Sequence, residues 1–135
     1  MSFISDLFTK SPRLSPAAGY TIANGWIYFA TGILLVTWPG AVQVLFHEAA
    51  FVGNEAALLR VVGVTTGVIG WLYIFGGRTG APQFVAASVI DRLVFVPVVL
   101  VPLALSGVFP RLLLAFTALD AALAIGALIL RRRAA

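Results

Sequence analysis

The sequence contains no cysteine and a single histidine, His47. Without cysteine the chain forms no disulfide, carries out no thiol redox chemistry and offers no thiolate to a metal. With one histidine it cannot build a bis-histidine haem site or a multi-histidine metal centre within one chain. The residues therefore predict neither a cofactor nor a metal site.

Charged residues are also scarce. Only 10% of the 135 residues are charged and 61% are hydrophobic, with a mean hydropathy of +1.03. A chain this small exposes a large share of its residues, so this composition cannot provide a water-soluble surface. We expect the lipid bilayer to be the main solvent of the protein.

Four apolar stretches reach the roughly 20 residues that an α-helix needs to cross about 30 Å of hydrocarbon. The predicted spans are residues 17–38, 55–77, 83–106 and 109–130. The turns at 76–82 and 106–108 are short, and short turns make consecutive helices antiparallel neighbours. The sequence therefore predicts an all-α, polytopic membrane protein whose 135 residues form one domain, an antiparallel bundle of four transmembrane helices.

Six of the nine basic residues flank these spans on one side, whereas Arg60 and Arg111 lie toward the other side. Lys10 and Arg13 precede the first span, Arg78 follows the second, and three arginines at 131–133 follow the fourth. Because cytoplasmic flanks carry the excess of Lys and Arg, we predict that both termini are cytoplasmic. Topology and attraction to anionic lipid explain the terminal arginines, so we expect no nucleic-acid partner.

Two shorter segments are predicted to lie along the membrane surface. The apolar residues between 3 and 8 share a helical face, which predicts a short N-terminal amphipathic helix, with an unstructured tail as the alternative. Residues 41–51 predict an interfacial or partly re-entrant helix on the opposite side. The aromatic side chains expected at the interfaces are Tyr20, Trp38, Trp71 and Tyr73.

Three ionisable residues, Asp91, Arg92 and Asp120, lie within the spans. A charge at the bilayer centre costs about 2.5 to 3.5 kcal/mol on insertion scales, so each needs a partner. Counted from the turn near Gly107, Arg92 and Asp120 differ in depth by one helical turn or less, a gap that an Arg side chain can span, which predicts an ion pair. Asp91 points about 100° away from Arg92 and must find another neighbour, reach the interface or carry a proton.

Other polar side chains share this depth. The candidate intramembrane polar cluster is Asn24, Tyr28, Asp91, Arg92, Thr117 and Asp120. Two roles are open: the cluster locks helix packing, or it handles a ligand, a proton or a substrate. Arg60, near the start of the second span, is expected to reach the headgroups or to pair with Glu48 or Glu55.

Small residues and prolines shape the predicted packing. The candidate packing residues are Gly63, Gly67, Gly70, Ala118, Ala122 and Gly126, which would contact helices of the bundle or another subunit. Pro97 and Pro102 each remove an amide donor from the third span. They predict a helix kink that opens space beside the charged cluster or only adjusts packing.

Several short motifs resemble a known group of proteins. They are residues 59–63 (LRVVG), 70–73 (GWLY), 87–93 (ASVIDRL) with a Val-Pro after them, 119–120 (LD) and the basic end. The chain resembles small uncharacterised bacterial four-helix membrane proteins that are DoxX-like in layout. The resemblance implies a bacterial inner-membrane location and marks Arg60, Arg92 and Asp120 as polar landmarks, but it implies no activity.

The sequence leaves two functions open. The first is a non-enzymatic accessory, scaffold or assembly subunit that docks on a larger membrane complex or on itself; the chain shows no phosphate loop and no nucleophile with a plausible base. The second is binding or transport of a small solute, proton or lipid at the intramembrane Asp/Arg cluster. An enzyme is the less favoured reading because paired carboxylates alone define no reaction.

Overall fold

The computed structural model describes residues 2–133, and these residues form helices and turns without strands. The helices are α1 (Phe3–Phe8), α2 (Pro16–Thr37), α3 (Ala41–Phe46), α4 (Glu55–Arg78), α5 (Pro82–Ile90), α6 (Val96–Leu105) and α7 (Pro110–Arg133). A π-helical segment, Asp91–Phe95, joins α5 to α6. The predicted all-α fold is confirmed.

Four helices are long and apolar enough to cross a membrane. They are α2, α4, α7 and the continuous helix Pro82–Leu105, which we call the third span. Each boundary lies within three residues of the predicted one. The hydropathy of the sequence therefore located the spans correctly.

The interior of the bundle is more polar than its exterior. Arg92 and Asn24 are each 1% exposed and Thr21 is 0% exposed, whereas Phe95 is 64% and Val98 is 67% exposed. Soluble monomers rarely expose large contiguous apolar surfaces. A polar interior beneath an apolar exterior is the arrangement expected in lipid, and the chain is a multi-pass membrane protein.

Local sequence signals set the helix starts. The Ser15 hydroxyl accepts a hydrogen bond from the Ala18 amide at 3.1 Å, and Pro16 occupies the first turn of α2. At the start of α7 a carboxylate from a distant loop caps the helix, because Glu48 Oε1 accepts from the Leu112 amide at 2.7 Å. This cap ties the loop before α4 to the last helix.

Glycines bring α2 and α4 together backbone to backbone. A Cβ atom added to Gly32 would lie 2.5 Å from the amide nitrogen of Gly67, and one added to Gly70 would lie 2.4 Å from that of Phe29. No side chain fits at such distances. Gly63 and Gly70 are thus packing residues inside the bundle, and α2 and α4 form its tightest pair.

The remaining helices are arranged less evenly around this pair. The third span packs along α7, and α7 also packs against α2. By contrast, α4 touches the third span mainly through α5, so α4 and α6 diverge toward the loop end, the end that carries residues 38–54 and 106–109. The bundle is therefore open along one side.

The third span departs from regular helical geometry beside the charged residues. The Val96 amide donates to the Asp91 carbonyl, five residues back, instead of to the residue four back. Pro97 follows directly and has no amide hydrogen, so it cannot continue the regular pattern. The disturbance predicted at Pro97 takes the form of a π-helical turn, a feature frequent at functional sites, while Pro102 lies inside α6.

The surface segments differ in how closely they match the sequence. A helix forms at Phe3–Phe8, as predicted, and none of its residues is buried. The helix predicted over 41–51 is shorter, Ala41–Phe46, because His47 adopts a left-handed backbone with φ of 54° that ends it. Of the two alternatives predicted for Arg60, the pairing with Glu48 or Glu55 does not form among residues 2–133, and its Nε instead donates to the Val36 carbonyl at 3.2 Å.

A candidate ligand cavity

The polar cluster is assembled from all four spans. Asn24 and Tyr28 come from α2, Tyr73 from α4, Asp91 and Arg92 from the π-helical segment, and Asp120 from α7. Arg92, Asn24, Tyr28, Tyr73 and Asp120 are all buried, and Asp91 is half-buried. The bundle thus encloses one guanidinium and two carboxylates.

Arg92 is held by its own helix and by α2. Its Nε donates to the Ser88 carbonyl at 2.8 Å, and one terminal nitrogen donates to the Ser88 hydroxyl at 3.2 Å. With the Asn24 amide oriented to satisfy both neighbours, its oxygen accepts from Arg92 at 3.0 Å and its nitrogen donates to the Tyr20 carbonyl at 3.2 Å. Arg92 therefore links the third span to α2.

Each aspartate is paired with a tyrosine from another span. The Tyr28 hydroxyl donates to Asp120 Oδ1, and the Tyr73 hydroxyl donates to Asp91 Oδ2 at 3.1 Å. The two tyrosine rings meet edge to face with centroids 5.6 Å apart. The Arg92 guanidinium lies over the Tyr73 ring, 5.2 Å from its centroid, a cation–π distance.

The predicted direct ion pair between Arg92 and Asp120 does not form. Within residues 2–133, Asp120 accepts its hydrogen bond from Tyr28, and the donors of Arg92 go to Ser88 and Asn24. Counting residues along the helices gives the depth of each side chain but not the direction in which it points around the helix axis. The π-helical segment changes that direction relative to a regular helix. The charges share a cluster without touching.

A cavity of about 530 Å³ lies above this cluster, between α4, the third span and α7. Its lining is apolar except for Thr66 and five residues that we call the polar floor: Tyr28, Tyr73, Asp91, Arg92 and Asp120. From Tyr73 the lining follows α4 as far as Leu58, roughly 22 Å at 1.5 Å per residue. The cavity is thus elongated, with its polar groups at one end.

The cavity opens sideways where α4 and α6 diverge. We call this opening the mouth; it is lined by Leu58, Val62 and Ile69 of α4 and by Phe95, Val99 and Leu103 of the third span. All six side chains are exposed at the bundle surface. The mouth extends from the middle of the spans, at Ile69 and Phe95, to the loop end, at Leu58 and Leu103, so most of it lies along the face where lipid is expected.

Other predicted site residues lie outside this cluster. Thr117 donates to the Leu113 carbonyl of its own helix and does not line the cavity. Ala118 and Ala122 are exposed and do not form the close packing predicted within the bundle, whereas a Cβ on Gly126 would meet the Tyr20 ring. The alanines of α7 that pack inside are Ala124 and Ala127, each 0% exposed.

Sequence reasoning missed Tyr73 and Ser88. Tyr73 was assigned to an interface, yet counting from the turn at Gly80 places it about one helical turn, roughly 6 Å, from Asp91 in depth. Asp91 had no predicted partner, and this was the signal that could have identified Tyr73. Ser88 precedes Arg92 by four residues, a spacing that puts both on one helical face.

The described residues do not converge on a metal. No group of three or more His, Cys, Asp or Glu side chains in residues 2–133 could hold one.

In comparisons with known proteins, the chain matches no family model, and no curated protein or solved structure is significantly similar.

Proposed function

We propose that this protein binds a mostly apolar molecule, which enters from the bilayer through the mouth between α4 and the third span. The observation that carries the proposal is the cavity of about 530 Å³ with an apolar mouth and a polar floor. Its volume falls within the roughly 300 to 1,000 Å³ typical of ligand sites. Apolar walls with a few polar groups at one end are also typical of such sites.

The polar floor would orient the bound molecule. The Tyr28–Asp120 and Tyr73–Asp91 hydrogen bonds fix both carboxylates, and side chains held by such bonds recognise a polar group without first being ordered. The apolar remainder of the ligand would lie along the walls toward the loop end. Binding or transport is favoured over catalysis because the lining contains no Ser, Cys, His or Lys.

We place the protein in a bacterial inner membrane with both termini cytoplasmic. This proposal is supported by the basic residues at one end of the bundle, which include Arg78 and Arg131–133, and by the resemblance to bacterial four-helix proteins. Reporter fusions at the two termini test the orientation. A periplasmic location of either fusion would contradict it.

An accessory or scaffold role is the second candidate. It would use small-residue faces for docking, but the α4 glycines already contact α2. Ala118 and Ala122 remain exposed on α7 and are the observation in its favour. A partner that copurifies stoichiometrically from mild detergent, and that is lost in A118L but not in I125L, would favour this role.

Substitution at the mouth tests the binding proposal. Val99 lines the cavity, whereas the adjacent Val98 is equally part of the exposed surface but does not line it. We expect the wild type and Val98→Trp to retain a hydrophobic molecule in native mass spectrometry from nanodiscs, and Val99→Trp to lose it. Equal occupancy in all three proteins would contradict the proposal.

A further inference from the structure

The hydrogen bonds of the polar floor leave acceptors facing the cavity. Asp120 is 5% exposed; its Oδ1 accepts from Tyr28, and no group in residues 2–133 donates to its Oδ2. Asp91 Oδ1 likewise has no donor from that part of the chain. Every fully buried polar side-chain atom among the described residues has a hydrogen-bond partner. Because these two carboxylate oxygens have none, they must be accessible and not fully buried.

The donors of the floor point elsewhere. Both tyrosine hydroxyls donate to the aspartates. Arg92 is 1% exposed, and its Nε and one N–H of each terminal nitrogen donate to Ser88 and Asn24. A carboxylate, sulfate or phosphate group in the cavity would meet carboxylate oxygens. The floor therefore suits a ligand group that donates hydrogen bonds.

Charge balance narrows the choice among donors. When Asp91, Asp120 and Arg92 are ionised, two carboxylates face one guanidinium, and one negative charge is unbalanced. An uncompensated charge in a low-dielectric interior is strongly unfavourable. An alcohol would supply a hydrogen bond and leave this charge, whereas a protonated amine supplies hydrogen bonds and neutralises it.

The depth of the floor sets the shape of the ligand. Asp120 lies roughly 15 Å from the start of α7 at Pro110, about half of the ~30 Å hydrocarbon thickness. A permanent charge reaches that depth only at high cost. An amine can instead cross hydrocarbon as its neutral base and accept the proton that keeps one of the two aspartates uncharged in the empty cavity, so that the bound state holds one ammonium, one guanidinium and two carboxylates. The walls then accommodate a tail about one leaflet long.

We infer that the cavity binds a primary amine carried on a single long hydrocarbon chain, with the ammonium group between Asp91 and Asp120. This inference deepens the proposed function and rests on it. Asp120 contributes one carboxylate oxygen and Asp91 the other, while Tyr28 and Tyr73 hold the two carboxylates in place.

The test compares four probes that share one tail and differ in the head: tetradecylamine, tetradecanol, tetradecyl sulfate and tetradecyltrimethylammonium. Binding is measured by native mass spectrometry in phosphatidylcholine nanodiscs, and the Val99→Trp protein gives the background from lipid partitioning. We expect the primary amine to bind at least about tenfold more tightly than each other probe, because only it combines a positive charge with N–H donors.

Two conservative variants locate the head group. Asp91→Asn and Asp120→Asn keep an oxygen for the tyrosine but lose the negative charge, so each should weaken amine binding about tenfold or more. Asp6→Asn, on the exposed face of α1, is the matched control and should leave it unchanged. Tetradecanol binding should persist in both variants, which reports that the cavity is intact.

The outcomes separate this inference from the proposal beneath it. If no probe binds above the Val99→Trp background, the proposed function itself fails. If the alcohol, the sulfate or the quaternary ammonium binds as tightly as the amine, the cavity binds ligands but the amine inference is overturned. Unchanged amine affinity in both aspartate variants would also overturn it.

Discussion

The two sides of α4 are packed in opposite ways. Toward α2 its glycines allow backbone contact, since a Cβ added to Gly63 would lie only 2.8 Å from that of Leu35. Toward the third span it presents Leu58, Val62 and Ile69, which meet no facing helix and line the mouth. One helix therefore carries both the most closely packed interface of the bundle and the open wall of its cavity.

This difference shows what small and large residues do in lipid. Helices in a membrane gain little from burying apolar groups, so association depends on close packing and interhelical hydrogen bonds. Glycine permits close helix packing along α2 and α4. The bulky side chains on the other side of α4 can contact lipid and do not need a facing helix. An open side is thus compatible with a stable bundle when one pair is tight.

Arg92 connects the tight side of the bundle to the open side, because it bonds to Asn24 of α2 and lines the cavity. Its removal should therefore have the largest effect on stability. Arg92→Ala would leave two carboxylates uncompensated and detach the third span from Asn24, at a cost of about 3 to 5 kcal/mol, the range for breaking buried charged partners. Unfolding in mixed micelles measures this cost. Arg132→Ala, at the exposed end of α7, is the control, and equal stability of both variants would contradict the role.

The tight side is tested by adding one methyl group. Gly32→Ala should destabilise the bundle by about 1 to 3 kcal/mol, because overpacked side chains force backbones apart. In the same helix, Gly19 has no atom within 4 Å of its added Cβ. Gly19→Ala should therefore be neutral or stabilising by up to about 1 kcal/mol, and a similar loss in both variants would refute close packing.

The polar floor is tested by a double-mutant cycle between Tyr28 and Asp120. Tyr28→Phe and Asp120→Ala should each cost about 1 to 3 kcal/mol, since each removes one partner of a buried hydrogen bond to a charged group. The double variant should cost less than the two single costs combined, by about 1 kcal/mol. Strict additivity of the unfolding free energies would show that the bond contributes nothing.

The open side should show the smallest change in stability. Val99→Trp enlarges a side chain at the mouth that has no facing helix, so we expect the unfolding free energy to change by no more than about 0.5 kcal/mol. The same measurement on Gly32→Ala provides the contrast within one experiment. A large loss in Val99→Trp would mean that the mouth is closed in the membrane.

Burial of the ionisable residues could be predicted, but their pairing could not. The cost of a charge in hydrocarbon required Arg92 and Asp120 to face inward, and both are buried. Their partners depend on rotation about each helix axis, where one residue changes direction by about 100°. The π-helical segment, Asp91–Phe95, alters that rotation in the region where it decides the contacts.

For the small residues of α7 as well, the sequence predicted the type of contact but not which residues make it. Ala118 and Ala122 repeat at a four-residue spacing typical of helix packing, yet they face outward, and Ala124 and Ala127 on the same helix are fully buried. Both pairs have equally small side chains. Which face of α7 turns inward is decided by the whole bundle, so local spacing cannot select between them.

The sequence by itself determined the four crossings, because long apolar runs with few charges are stable only in hydrocarbon. It also determined that Asp91, Arg92 and Asp120 need partners within the membrane. Only the tertiary structure decided that tyrosines hold the aspartates, that Ser88 and Asn24 hold Arg92, and that α4 and α6 diverge around a cavity. Those outcomes depend on helix rotation and on the π-helical turn, which hydropathy and residue spacing do not specify.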